Sequence, residues 1–219
     1  VTERKRKAMS KKGQIILWII TLVSFAGILA VYHKLPERVP IHWDSNWEVD
    51  GTASKNMMFL IGAIPALANG LFYLLPVIDP RRKNYDAKTY GLMKAVIVLL
   101  FVFISWATVV SALKLGINDK LLLSFIIGIT FIIMGNYLPK VKSNFFIGIK
   151  NPWALSDATI WRKTHKVGGY LFLIIGLLML PMGIINTSLY SNIIFWLLLI
   201  GIAAVNIYSY ILYRKNIRA

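Results

Sequence analysis

Long apolar runs recur six times along this chain, at residues 14–32, 57–78, 90–113, 121–138, 168–186 and 192–213, separated by polar stretches dense in Pro, Asp, Asn and Lys. Each run is long enough at about 1.5 Å per residue to cross roughly 30 Å of hydrocarbon as a helix. The pattern predicts an all-α integral membrane protein, a six-transmembrane-helix bundle. The first run follows basic residues, yet it is longer than a signal-peptide core and no small-x-small cleavage site follows, so it reads as an uncleaved anchor. Trp18, Tyr32, Tyr90, Tyr137, Tyr170, Tyr190 and Tyr213 fall near predicted helix ends, where amphipathic rings favour the headgroup region. Gly62, Ala66 and Gly70 form a small-residue face on the second helix. Pro65, Pro76 and Pro181 predict kinks or stops, because each removes a backbone donor.

Composition sharpens this picture. Of 219 residues, 57% are hydrophobic and 16% charged, against roughly a quarter charged in soluble domains. Cysteine is absent, which excludes thiolate catalysis, disulfides and cysteine-held metal sites. The net charge of +16 is explained by topology. The segment before the first helix (Arg4, Lys5, Arg6, Lys7, Lys11, Lys12), the second loop with Lys94 just inside the third helix, the fourth loop and the tail hold 20 of the 25 Lys and Arg residues. The opposite side holds Lys34, Arg38, Lys55, Lys114 and Lys120. The positive-inside rule therefore predicts both termini in the cytoplasm of a multi-pass cell-membrane protein, its basic loops facing anionic lipid. The same account removes the need for direct nucleic-acid binding.

The membrane interior is poor in chemistry. Lys94 is expected near a helix end, snorkelling to the interface. Asn69, Ser105, Thr108, Thr130, Asn136 and Asn206 are the polar groups at depth, and they read as interhelical hydrogen-bonding groups. Ion-coupled transport usually needs ionisable groups there, and intramembrane proteolysis needs paired acids, HExxH or Ser–His. No catalytic residue and no cofactor is predicted.

Two loops stand apart. The first, at 33–56, is expected outside the cell and ordered by Pro36, Pro40 and an Asp50-Gly51 turn, with residues 39–43 compatible with a strand. It carries one net negative charge, suited to a cationic or amphipathic ligand, and His42, Trp43, Asp44 and Asp50 are its candidate contacts. His42 and Asp44, with His33, Glu48 or Asp50, are of ligating type, but the spacing matches no metal signature, and none is assigned. The other loop, at 139–167 on the cytoplasmic side, interleaves Phe145, Phe146, Trp153 and Trp161 with Lys and Arg. Its plain physical reading is an amphipathic segment with aromatics in the lipid and basic residues at the phosphates. Ser156 is the expected N-cap of its helix, with Asp157 in the first turn.

Lys140-x-Lys142-x-Asn144, Gly148-Ile149-Lys150-Asn151-Pro152-Trp153-Ala154-Leu155 and Trp161-x-x-Thr164-His165-Lys166-x-x-Gly169 resemble the C-terminal signature of the SdpI family, bacterial immunity proteins against a secreted, membrane-active peptide toxin. Leu35-Pro36, Val39-Pro40-x-His42-Trp43-Asp44, Asp50-Gly51 and Ser54-Lys55 resemble the DUF1648 module that accompanies it. The resemblance divides the chain into a basic arm at 1–13, a DUF1648-like half at 14–113 and an SdpI-like half at 114–219. It implies Asn144, Gly148, Pro152, Trp153, Trp161 and His165 as the cytoplasmic signature residues. It further implies toxin resistance, with a peptide toxin as direct or indirect partner. In the best-known member it implies signal transduction through an ArsR-like cytoplasmic repressor held at the membrane. The chain departs from the family where Lys150-Asn151 replaces the usual Arg-Thr, where Ala154 replaces a Thr, and where Trp47 stands near a usual Gly. Lys keeps the charge of Arg but not its planar fork. Two other functions compete: a polytopic membrane enzyme or small-molecule transporter using His42, Asp44, Asn144 and His165, and a structural subunit of a larger complex. His42 and His165 are expected on opposite membrane faces, which precludes an acid–base pair.

Overall fold

The computed structural model describes residues 11–217. The basic residues Arg4, Lys5, Arg6, Lys7 and Arg218 lie outside them. Among the described residues, six helices are long and apolar enough to cross a membrane. They are α1 (Lys11–Val31), α2 (Met57–Ile78), α3 (Ala87–Ala112), α4 (Asp119–Tyr137), α6 (Ala158–Met179) and α8 (Ser188–Ile217), with the short helices α5 (Pro152–Ser156) and α7 (Met182–Ile185) between them. The protein is a mostly helical multi-pass membrane protein, as the hydropathy pattern predicts, with one two-stranded hairpin added at an end of the bundle.

The helix prolines find their partners on α3. Pro65 and Pro76 lie inside α2 and free the carbonyls of Ile61 and Phe72. Ser105 Oγ donates to Ile61 O at 2.9 Å, and the Tyr90 hydroxyl donates to Phe72 O. Each missing backbone donor is thus replaced by a hydroxyl, as hydrocarbon requires. Pro76 therefore lies within the span rather than ending it, whereas Pro181 separates α6 from α7.

Four expectations about detail are corrected. Asp50 and Gly51 lie inside a strand, not at a turn: β1 (Arg38–Trp43) pairs antiparallel with β2 (Val49–Ser54), setting His42 opposite Gly51. A Cβ on Gly51 would stand 2.8 Å from that of His42, so this glycine serves close cross-strand approach. The reversal is made instead by residues 44–48. Second, Asp157 caps α6, accepting from Thr159 N at 2.7 Å and Ile160 N at 3.0 Å, while Ser156 closes α5. This starts α6 ten residues before its apolar run. Third, Lys94 does not snorkel to water. It is 3% exposed, its ammonium 3.6 Å from the centre of the Tyr73 ring. Fourth, not every deep polar group joins two helices. Ser105 does, but Thr108, Thr130 and Asn136 bond to carbonyls of their own helices.

Three apolar clusters hold the bundle. Ile28, Leu35, Val39, Met58, Val109 and Ala112 seat the base of the β-hairpin on α1–α3. Ile175, Met179, Met182 and Ile194 lie beneath its tip. Leu17, Phe72, Met93, Val98, Val141, Ile147 and Trp161 fill the other end. The hairpin therefore reaches from α1–α3 over to α6–α8, while the 138–157 segment reaches back from α4 to α1–α3. Each end of the bundle is tied by a loop that crosses it.

Candidate functional site

At the hairpin end, the tip is shaped by Asp44. Its Oδ1 accepts from Asn46 N at 2.8 Å and Glu48 N at 2.9 Å, the self-bonding that makes Asp a turn residue. Trp47 adopts φ +64, a left-handed conformation unusual for a bulky side chain. Its indole N–H donates to the Met182 sulfur at 2.7 Å, so contacts within the apolar cluster offset the strain. The Trp43 indole N–H donates to Asp119 Oδ2 at 3.1 Å and Ser45 Oγ to Asn192 Oδ1 at 3.0 Å, fastening the tip to α4 and α8. His42 and Asp50 sit across the two strands with Nδ1 and Oδ1 2.5 Å apart, both well exposed. Of the four residues singled out in this loop, His42 and Asp50 form one surface pair. Trp43 and Asp44, with His42, line a crevice of about 570 Å³ that descends between α4, α6 and α8.

At the opposite end, the signature residues fold into a plug. Asn144 is its hub: Oδ1 accepts from Phe146 N at 2.9 Å and Ile147 N at 2.7 Å, and Nδ2 donates to the carbonyls of Lys142 and Ile147. The buried Trp161 indole donates to Val141 O at 2.7 Å. His165 is fully buried, stacked on Trp161 with centroids 3.9 Å apart. Its Nε2 accepts from Ile149 N at 3.0 Å, which leaves Nδ1 to donate to Trp161 O at 2.8 Å. Asn151 caps α5 through Ala154 N, accepts from Ser209 Oγ and donates to Asn206 Oδ1, joining the plug to α8. Pro152 opens α5, and Trp153 packs against Tyr210 at 5.1 Å.

The segment is amphipathic, but its apolar face is turned onto the bundle rather than into lipid. Trp161 and His165 are interior, while Lys142, Lys150, Arg162, Lys163 and Lys166 stay exposed. The reason is hydrogen bonding: the backbone of 141–149 finds its partners in the side chains of Asn144, Trp161 and His165, which lipid does not supply. His42 and His165 lie at opposite ends of the bundle and share no site.

Sequence reasoning passed over a third group. Asp79, the C-cap of α2, is buried and accepts from Tyr85 Oη at 2.6 Å, Phe145 N at 2.9 Å and Arg81 N at 2.7 Å. Arg81 donates to Ser143 Oγ and, at 2.9 Å, to Leu155 O, with its guanidinium 4.7 Å from the Phe145 ring. Asn84 Nδ2 donates to Ser143 O at 2.7 Å. The one signal available was an acid beside a run of basic residues, Asp79 ahead of Arg81, Arg82 and Lys83. Burial pushes the Asp79 carboxyl upward, but the hydrogen bonds from Tyr85, Phe145 and Arg81 and the Arg81 charge leave it below the usual range. Burial, and then Asp79 itself, raises the Tyr85 phenol. A depressed carboxylate stabilises the fold above its unfolded pKa of about 3.9, and that contribution fades as pH falls through the folded value. Asp79→Asn is therefore expected to lower stability near neutrality by about 1–3 kcal/mol, the cost of a weakened buried network. It should also flatten the acid limb of stability against pH. Denaturant unfolding in detergent across acid pH reads both, and an unchanged acid limb would remove Asp79 from this role.

Residues 140–213 match the SdpI/YfhL protein family, and residues 19–67 match DUF1648, a domain of unknown function. The chain is 26% identical over 204 residues to the "Immunity protein SdpI" of Bacillus subtilis (strain 168), covering 93% of this chain and 97% of that protein. No solved structure matches it. The SdpI match begins at the plug and ends in α8, and the DUF1648 match holds the hairpin.

Proposed function

We propose that this chain, carrying an SdpI-type signature behind a DUF1648-like module, is a bacterial membrane immunity protein that protects its cell from a secreted, membrane-active peptide toxin. The observation that carries the reading is similarity to an immunity protein over 93% of this chain and 97% of that protein, with the SdpI and DUF1648 matches both found in this chain. Orientation follows the charge. Among the described residues, Lys34, Arg38, Lys55, Lys114 and Lys120 flank the hairpin end, and the remaining Lys and Arg residues flank the plug end or, as Lys94, lie just inside it. The hairpin then faces outward to meet toxin, and the plug, with both termini, faces the cytoplasm. The exposed Lys and Arg around the plug suit anionic lipid and offer a surface to a cytoplasmic repressor, the finer signalling role. Most polar groups at the two ends are engaged in turns, caps and interhelical bonds, an arrangement that suits a binding protein better than an enzyme or a transporter.

Expression in a toxin-sensitive bacterium should raise survival in the presence of the peptide. Unchanged killing at normal protein levels would remove the immunity reading. For orientation, the cysteine-free chain allows single reporters at exposed positions. Val49→Cys should react with an impermeant maleimide in intact cells and Lys142→Cys should not. The reverse pattern would invert the assignment of faces.

A further inference from the structure

Two cavities meet at Trp47. One is the crevice of about 570 Å³ beneath the hairpin tip. Its floor includes Phe131, Met179, Met182 and Phe195, apolar and in part flexible side chains of the kind that accommodate varied occupants. The second, of about 460 Å³, is polar and opens beside the first, with Trp47 common to both. Asn46, Glu48, Asp119 and Lys120 line it. Two carboxylates against one ammonium leave it net negative, beside the neutral side chains of Asn118, Asn186 and Ser188. Asn46 Oδ1 is buried and has no hydrogen-bond partner among the described residues. Glu48 lines the same pocket, and Asp119 Oδ2 already accepts from the Trp43 indole and the Ser111 hydroxyl. Lys120, the one cation lining it, points its ammonium at Thr187 O, 3.4 Å away.

We infer that these joined cavities form one binding site for a cationic amphipathic peptide, an ammonium or guanidinium entering the polar pocket and a neighbouring bulky apolar side chain entering the crevice. The orphaned acceptor and two carboxylates call for a charged donor. The apolar floor calls for a group that hydrocarbon also welcomes. Charge disfavours the other obvious occupant: an anionic phospholipid would bring its phosphate against Glu48 and Asp119, with Lys120 alone to offset them. Trp47 forms the wall between the two halves, held there by Met182 despite its left-handed backbone. It therefore sets how close the cationic and apolar groups of a ligand must lie. The inference deepens the immunity reading by giving an arriving peptide a place to sit, and rests on that reading for the side from which it comes.

The test uses the intact protein in neutral phosphatidylcholine nanodiscs and a synthetic amphipathic Leu–Lys helix bearing a photoreactive leucine. Crosslinks, mapped by mass spectrometry, are expected on Phe131, Met179, Met182 or Phe195, and unlabelled peptide should compete them away. Phe103 and Phe125, on the lipid-facing groove between α3 and α4, should be labelled far less. Glu48→Lys should raise the peptide concentration needed for half-maximal labelling by about tenfold. Even labelling of both surfaces, no response to Glu48→Lys, or a phosphatidylglycerol photoprobe that fills the crevice and resists displacement by the peptide would each overturn the site. Survival assays on the same variant separate the two claims. Protection without crevice labelling refutes the site alone, and labelling without protection refutes the immunity reading alone.

Discussion

Gly148→Ala is expected to abolish the folded plug and, with it, most of the recoverable protein. Gly148 holds φ +120, a conformation that L side chains rarely adopt. A Cβ there would stand 2.3 Å from His165 Nε2 and 3.1 Å from the Trp161 ring. Neither neighbour is free to retreat. His165 is fully buried, stacked on Trp161 and bonded through both ring nitrogens. Moving it breaks the Ile149 N–H bond and leaves a buried imidazole nitrogen unpaired, at a cost of about 1–3 kcal/mol. The strained backbone adds roughly 1–3 kcal/mol more. Together these approach a large part of the stability of an ordinary domain. Monodispersity and thermal unfolding in detergent measure the loss. His165→Ala alone also destabilises, but the Gly148→Ala/His165→Ala double variant should fall short of the sum, because the second change removes the first collision. Full additivity, or a wild-type melting curve for Gly148→Ala, would show that the plug does not depend on this contact.

That collision also marks where sequence reading stops. The apolar runs placed six spans within a turn or so at most ends, because hydrocarbon thickness dictates run length. They placed α6 ten residues late, since its first three turns cross the plug, where Arg162, Lys163 and Lys166 face out and Trp161, Thr164 and His165 face in. The resemblance picked out Asn144, Gly148, Pro152, Trp153, Trp161 and His165. Their tasks, from hub and helix start to stacking ring, emerge only from three-dimensional pairing. Asp79 and Arg81 were illegible for another reason. The partners that tie them to the plug, Ser143 and Phe145, lie about sixty residues or more away, and a basic loop beside a membrane has a sufficient explanation in topology. Trp47 shows the converse. A bulky residue near a usual glycine reads as a departure in sequence, and the structure shows what holds it there, the sulfur of Met182.

The helix–helix packing carries the largest expected effect, and its closest backbone approaches lie on α4 and α6 rather than on α2, where a Cβ on Gly62 would meet side-chain atoms of Phe25 at 3.0 Å and Ile28 at 3.2 Å. α4 and α6 run antiparallel and make the most extensive helix contact in the protein. Gly128 faces Gly176 and Gly135 faces Gly169, each pair one heptad from the next. A Cβ on Gly135 would lie 2.6 Å from Gly169 O and 2.7 Å from Leu173 N; one on Gly176 would lie 2.6 Å from Gly128 O. These obstacles are backbone and cannot rotate aside. Close approach of small residues is a main source of helix affinity in lipid, where apolar side chains gain little by leaving the tails. Gly135→Val or Gly176→Val must therefore push the helices apart, at about 1–3 kcal/mol for overpacking and more where the backbone cannot yield. The damage reaches both ends at once, since α6 carries His165 into the plug and Met179 to the crevice floor. Either variant should lose thermal stability, peptide labelling in the crevice and survival together. Gly70→Ala supplies the contrast: the nearest atom to its Cβ is 3.8 Å away, on Trp18, so all three readouts should stay close to wild type. If Gly70→Ala proved the more damaging change, the tight helix contact would lie on the Gly62–Ala66–Gly70 face of α2, and α4–α6 would be the looser seam.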